Sequence, residues 1–205
     1  MEDVRDLKAL QVDALREVAN IGAGHAATAL SQMTDRRIMI SVPQIQVARL
    51  EEVAGLIGDP QDVVAAVLMH MLGDLTGRTL LMFPERVGLR LCDMLLRRSP
   101  GTTRAFETIE QSCIKEAGNI LSGAYMNALS DFMGMLLLPS VPSLVVDLSA
   151  AVLTTTYLNF GHDRDFVFCV ETQFHIDSEE GLRGHFLLLP DLASLRAIFD
   201  AIRLT

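Results

Sequence analysis

Two short stripes of polar residues offer most of the chemistry in this chain: Asp13, Glu17, Asn20 and Gly24, and then Ser112, Glu116, Asn119 and Gly123. A carboxylate and a carboxamide three residues apart stand side by side on a helix. The amide can accept a hydrogen bond from a water and aim its oxygen at an electrophile. The carboxylate can clamp a lysine or arginine of a partner. Phosphoryl transfer asks for little more, because positioning and electrostatics carry most of its catalysis. The stripes hold no nucleophile, and the chain has no Ser-His-Asp set and no GxxxxGK[ST] phosphate loop. Its histidines, His25, His70, His162, His175 and His185, have no ligand spacing, and Cys92, Cys113 and Cys169 form no CxxC pair. No metal or cofactor of its own is therefore expected. The electrophile, any metal and most of the charge would come with a partner.

One Glu-x-x-Asn on its own is ordinary solvated helix surface. Three features raise these two above that background. First, at about 100° per residue, Asp13, Glu17, Asn20, Gly24 and Ser31 share one narrow face. Leu15, Val18, Ala26, Ala29, Leu30 and Met33 occupy the opposite, core-forming side. In the second helix Ile114, Leu121, Tyr125, Ala128, Leu129 and Phe132 face inward. Second, a glycine inside a helix costs about 0.8–1 kcal/mol relative to alanine. Gly22 falls on the core side, where packing accounts for it. Gly24 falls on the polar stripe, where a bare backbone allows a partner close approach.

Third, the pattern is duplicated. Asp13 to Pro43 lies over Ser112 to Pro142 without gaps at a shift of 99, with ten of 31 positions identical, including Glu17/Glu116, Asn20/Asn119 and Gly24/Gly123. Leu80 to Arg90 lies over Phe186 to Arg196 at a shift of 106, which places about seven extra residues near Asp177 to Gly181. Duplication alone accounts for matched core residues such as Leu30/Leu129. Matched solvent-side Glu and Asn point instead to a binding face.

The elements that must position the stripes follow from the repeat. Each half, about 8–98 and 105–205, reads as a long helix (8–34; 105–134), a β-branched strand (36–47; 135–147), two more strands (62–72 and 77–83; 165–176 and 183–189) and an amphipathic helix (85–97; 191–203). Pro84 and Pro190 precede the last helices, and RRSPGTTR reads as the linker. Helix followed by strands in each half is an α+β pattern. The whole of 1–205 is read as one internally duplicated, pseudo-twofold domain.

The spacing [D/S]-x3-E-x2-N-x22-P occurs at Asp13, Glu17, Asn20 and Pro43 and again at Ser112, Glu116, Asn119 and Pro142. With EVANIGAGHAATALS and EAGNILSGAYMNALSDFMG around it, the chain resembles the CheC family of chemotaxis phosphatases, which includes CheX and FliY. Two motifs in 205 residues resemble the two-site CheC form best. The resemblance implies antiparallel strands packed with helices, with both motif helices on the surface. It also implies hydrolysis of the aspartyl phosphate of a CheY-type response regulator. Asn20 and Asn119 would orient the attacking water, and Glu17 and Glu116 would pair with a regulator lysine. Mg²⁺ would be bound by the regulator. Asp13 and Ser112 open the motif, and Pro43 and Pro142 shape the strand beside it. The resemblance adds CheD as a further partner, with Asp147 as a candidate contact. An N-cap role for Asp147 ahead of LSAAVL is at least as good a reading. A non-catalytic adaptor for CheD, or a sink for phosphorylated regulator, is the competing function.

Composition sets the outer limits. Half the residues are hydrophobic and 21% are charged, which suits a folded core rather than disorder. A net charge of −9 argues against nucleic acid and anionic lipid as partners. MEDVRDLKAL has no apolar signal segment, and the uncharged stretch Phe132 to Val146 is broken by Pro139 and Pro142. No membrane insertion and a reducing cytoplasm are the expectations.

Overall fold

A 26-residue helix opens each half, and a left-handed residue stops it. The computed structural model describes residues 9–41, 43–49, 58–158, 166–176 and 182–203. Helix α1 runs Ala9–Thr34 and helix α3 runs Thr108–Met133. Asp35 (φ 54°) follows the first and Gly134 (φ 63°) the second. The two stand 99 residues apart, so the duplication has kept the backbone turn while changing the residue. Glycine adopts this conformation freely and aspartate tolerates it.

The strand expected after each helix is split. β1 (Ile38–Ile40) and β2 (Gln44–Arg49) replace the first, and β5 (Leu137–Pro139) and β6 (Ser143–Leu148) the second. Both pieces stay on one neighbour: β1 and β2 on β7 (Phe166–Ile176), β5 and β6 on β3 (Val63–Gly73). Pro139 faces Met71 and Ser143 faces Leu68, so three residues oppose two. Ile40 faces Phe174 and Gln44 faces Glu171, the same bulge again. Proline has no N–H to give the ladder, and Pro43 and Pro142 sit inside these breaks. At the second break the Ser140 hydroxyl accepts the His70 N–H at 2.9 Å in place of a backbone carbonyl.

With β4 (Gly77–Pro84) and β8 (Leu182–Pro190), the strands form one antiparallel sheet in the order β1/β2, β7, β8, β4, β3, β5/β6. The two halves meet at β4–β8, where Leu80 faces Leu187 and Leu81 faces Phe186. The shift of 106 turns each of these pairs into the other, so the local twofold passes between them. Helix α2 (Glu85–Leu95) starts directly after Pro84. Helix α5 (Leu192–Arg203) starts after Asp191, whose carboxylate accepts the Ser194 N–H at 2.8 Å as an N-cap. A further helix, α4 (Ser149–Leu158), follows β6. The expected insertion at 177–181 lies outside the described residues.

Alternation along the strands sends side chains to two cores. Val67, Met69, Met71, Leu81, Phe83, Phe186 and Leu188 pack under α1 and α3. Val64, Ala66, Leu80, Met82, Leu187 and Leu189 pack with Val152 and Leu153 of α4. Covered on both faces, the central strands read as nearly unbroken apolar runs.

The two motif helices also pack on each other, small residues against large. A Cβ at Gly22 would lie 2.8 Å from Tyr125 Cδ1 and 3.0 Å from Tyr125 Cα, so the contact needs a glycine. Tyr125 stacks on Phe186 with ring centroids 4.7 Å apart, and its hydroxyl hydrogen-bonds to Thr172. Burial pushes its pKa up to about 12. At the far side of α3, a Cβ on Gly118 would lie 2.6 Å from the Val67 side chain.

Candidate active site

Helix α1 holds its polar stripe away from the sheet because Leu15, Val18, Ala19, Ala23, Ala26 and Leu30 are buried on the other side. Asp13, Glu17, Asn20 and Gly24 are all exposed. The Asp13 carboxylate pairs with Arg16 at 3.0 Å, one turn before Glu17 and Asn20. Among the described residues, Glu17 and Asn20 take no hydrogen-bond partner, leaving both side chains available to an incoming molecule. A Cβ on Gly24 would meet nothing within 4 Å, unlike one on Gly22 two residues earlier. Gly22 serves the helix pair, and Gly24 leaves an open spot beside Asn20.

Helix α3 repeats the stripe in a more enclosed setting. Ser112 and Glu116 are exposed, while Asn119 and Gly123 are half-buried. The Ser112 hydroxyl donates to the Thr108 carbonyl at 3.0 Å. Gly123, like Gly24, has open space where a side chain would stand. Ile114, Ala117, Leu121, Ala124, Tyr125, Met126, Ala128 and Leu129 are buried, a wider arc than on α1.

The segment before α3, read from sequence as a plain linker, is a tied knot. Asp93 of α2 is almost fully buried and accepts the N–H groups of Gly101 at 2.7 Å and Thr103 at 2.8 Å. Arg98 reaches Glu110 at 2.6 Å and the Thr103 hydroxyl at 3.1 Å. Burial works to raise the Asp93 pKa, but the hydrogen bonds from Thr103, Gly101 and Thr102 prevail and hold it below the usual carboxylate range. The Arg98 guanidinium holds Glu110 low as well. These residues fix where α3 begins, four residues before Ser112. A signal existed in the sequence: Asp93 falls among Leu91, Cys92 and Met94 on the buried side of α2. An acid there needs partners.

Two other sequence assignments change. Ser31 is not a stripe residue; it is half-buried, and its hydroxyl accepts the Ile38 N–H at 3.0 Å, tying α1 to β1. In the second half the Ser130 hydroxyl donates instead to the Met135 carbonyl, two residues before β5. Asp147 is not an N-cap. It lies in β6 opposite Val64, exposed, and accepts the N–H of Leu148 at 2.7 Å, while α4 begins at Ser149. With Arg78, Thr155 and Thr156 it lines a shallow cavity between β6 and α4. The prolines sit in the strands beside the helices, as expected, but differ in burial: Pro43 is buried and Pro142 half-buried, each at its bulge. Among the described residues, no group of three His, Cys, Asp or Glu is placed to hold a metal ion. No helix among them is long and apolar enough to cross a membrane.

Comparison with known proteins agrees with this geometry. The sequence pattern of the CheC-like family matches residues 10–47 and 109–146, which contain both stripes and both bulged prolines. The chain is 31% identical to the CheY-P phosphatase CheC of Bacillus subtilis over 199 residues, covering 96% of this chain and 95% of that protein. Its fold matches the crystal structure of Thermotoga maritima FliY with a TM-score of 0.76, at 20% identity and covering 97% and 98% of the two chains. It also matches the FliM middle domain from H. pylori with a TM-score of 0.64, at 14% identity and covering 95% and 99%. Duplicated motif, bulged strands and near full-length similarity together make this chain a member of the CheC-like family.

Proposed function

We propose that this chain is a phosphatase that removes the aspartyl phosphate of a CheY-type response regulator and so ends a chemotaxis signal. The observation that carries the reading is the pair of Glu-Asn stripes, exposed on α1 and with Asn119 half-buried on α3, without hydrogen-bond partners within the described chain and each beside a bare glycine. Asn20 and Asn119 enter the regulator's active site and hold the attacking water in line with phosphorus. Glu17 and Glu116 dock on a regulator lysine. Asp13 and Ser112 open each docking stripe, and Gly24 and Gly123 let the partner lie close to the helix. The regulator brings the phosphoryl group and the Mg²⁺ that offsets its charge, so each stripe is half an active site. Similarity to a CheY-P phosphatase over nearly the whole chain supports the same conclusion. Such a partnership belongs in the cytoplasm.

The test follows phosphate loss from phosphorylated regulator in Mg²⁺ with and without the chain. Acceleration that disappears in the Asn20→Ala, Asn119→Ala double variant is the expected result. A tight complex formed by the unaltered chain with no gain in rate would replace the enzyme by a sink.

We propose in addition that Asp147 is a docking contact for CheD, since its carboxylate is exposed at the rim of the β6–α4 cavity. Asp147→Lys is expected to abolish CheD capture and to leave dephosphorylation by the chain alone unchanged.

A further inference from the structure

Beside the Glu-Asn stripes, the two motif helices expose little that is apolar. Among the described residues, their exposed large apolar side chains are Ile21, 43% exposed on α1, and Ile109, 55% exposed on α3. Both lie on the glutamate side of a stripe. Ile21 stands one turn beyond Glu17 and one turn before Gly24, and Ile109 stands two turns before Glu116. Ile120, half-buried, takes the place of Ile21 in the second half, one turn beyond Glu116. Ile21 and Ile120 are one of the identical pairs of the 99-residue shift.

A single exposed apolar residue on a helix is commonplace. Ile21 is set apart by its company and its repetition. Core packing does not account for it, because Leu15, Val18, Ala19, Ala23, Ala26 and Leu30 form the buried side of α1. Helix propensity does not account for it either, because a β-branched residue is a poorer helix former than alanine, lysine or glutamate. What remains is its place: an aliphatic side chain one turn from a carboxylate, next to the asparagine, in both halves.

We propose, on the phosphatase reading above, that Ile21 and Ile120 are the apolar wall of each docking stripe, with Ile109 continuing that wall on α3. They pack against the methylene stem of the regulator lysine whose ammonium group pairs with Glu17 or Glu116. A lysine side chain has an ammonium to be paired and an aliphatic stem to be covered. Glutamate and isoleucine at i and i+4 meet both needs from one helix face. An ion pair left in open water is worth little. An aliphatic wall beside it excludes water and adds buried apolar area. Ile21 and Ile120 are positioning residues: they touch the regulator's surface and not the phosphoryl group. They therefore act on affinity and not on the chemical step.

The test uses the full chain with one stripe silenced. Glu116→Lys with Asn119→Ala leaves only the α1 stripe, and Ile21→Ala is added to that protein. Two quantities are measured: the affinity for regulator held in its active form by beryllofluoride and Mg²⁺, and KM and kcat for phosphorylated regulator. Ile21→Ala is expected to weaken binding and raise KM about tenfold with kcat unchanged. Ile21→Leu is expected to restore most of the loss. Met39→Ala, at an equally exposed apolar residue of β1, is expected to change neither. Added salt should shrink the effect of Glu17→Gln and leave that of Ile21→Ala in place. Ile120→Ala in the opposite background, Glu17→Lys with Asn20→Ala, is expected to behave alike. Unchanged affinity in Ile21→Ala, a fall in kcat with KM unchanged, or an equal loss in Met39→Ala would overturn the proposal. The affinity readout needs no turnover. Binding that depends on Ile21 without accelerated phosphate loss would overturn the phosphatase reading alone, and an unaltered chain that does not bind regulator would overturn both.

Discussion

The two motif helices are copies in sequence but not in setting. On α1 the stripe is exposed along its whole length, and Gly22 lets Tyr125 of the neighbouring helix come close. On α3 the corresponding contact is carried by Tyr125, which is anchored to both Phe186 and Thr172. The start of α3 is tied down by Arg98, Glu110 and Asp93, and Asn119 is half-buried. The same four-residue pattern is therefore displayed once on an open helix and once on a helix held along a wide arc. Duplication has preserved the Glu-Asn pattern and the bulged prolines, while the packing behind each copy has diverged. A site whose side chain is held by its surroundings spends less free energy on alignment.

The largest way to break this contrast is to remove the anchor. Tyr125→Ala deletes the stack on Phe186 and leaves a cavity under both helices, with an expected loss of about 3–5 kcal/mol, as for a buried aromatic cut to alanine. Urea unfolding reads it as a lower midpoint. Gly118→Ala presses a methyl into Val67 and is expected to cost about 1–3 kcal/mol by overpacking.

Acid should act in two stages. Burial, helped by Arg183, holds His185 below the usual imidazole range against the opposing pull of Glu171. The unfolded chain then binds that proton first, so the stabilisation is complete above about pH 6.5 and drains as pH falls below it. Asp93 and Glu110, also lowered, contribute above about pH 4 and lose their share as pH falls through their folded values. Denaturant midpoints measured from pH 8 to 3 are expected to show both declines, and His185→Leu to erase the first alone.

A smaller change of opposite sign sharpens the comparison. Gly24→Ala meets no neighbour and is expected to raise stability by about 0.8–1 kcal/mol while weakening capture of phosphorylated regulator. A gain in stability with unchanged capture would remove Gly24 from the docking face. The subtlest expectation concerns the two asparagines. Equal sites would each supply half the rate, whereas the better-held α3 predicts that Asn119→Ala removes more than half and Asn20→Ala less. Initial rates of phosphate release from the single variants decide it.

Much of this was legible in the sequence. Helix periodicity separated the buried Leu15, Val18 and Leu30 from the exposed Glu17 and Asn20, and the same projection assigned Gly22 and Gly24 to opposite sides. The order of helices and strands also follows from the repeat, whereas the joining of the halves at β4–β8 appears only in the sheet register. Less legible was whatever depends on distant partners. Pro43 and Pro142 were read as shaping a single strand after each helix, and only the register with β3 and β7 reveals the break and its bulge. The Asp93–Arg98–Glu110 knot joins residues whose roles appear only when α2 and α3 pack. Ser31 carries the angle of a stripe residue, but the chain doubles back after Asp35 and Ile38 claims its hydroxyl.

The central claim is that each asparagine acts on the water while each glutamate serves docking. It is tested most directly by measuring, on one preparation of Asn20→Ala, Asn119→Ala protein, both binding of phosphorylated regulator and the rate of its dephosphorylation. Retained binding with a rate no faster than the regulator alone is the predicted result. Phosphate loss at the rate given by the unaltered chain would contradict it.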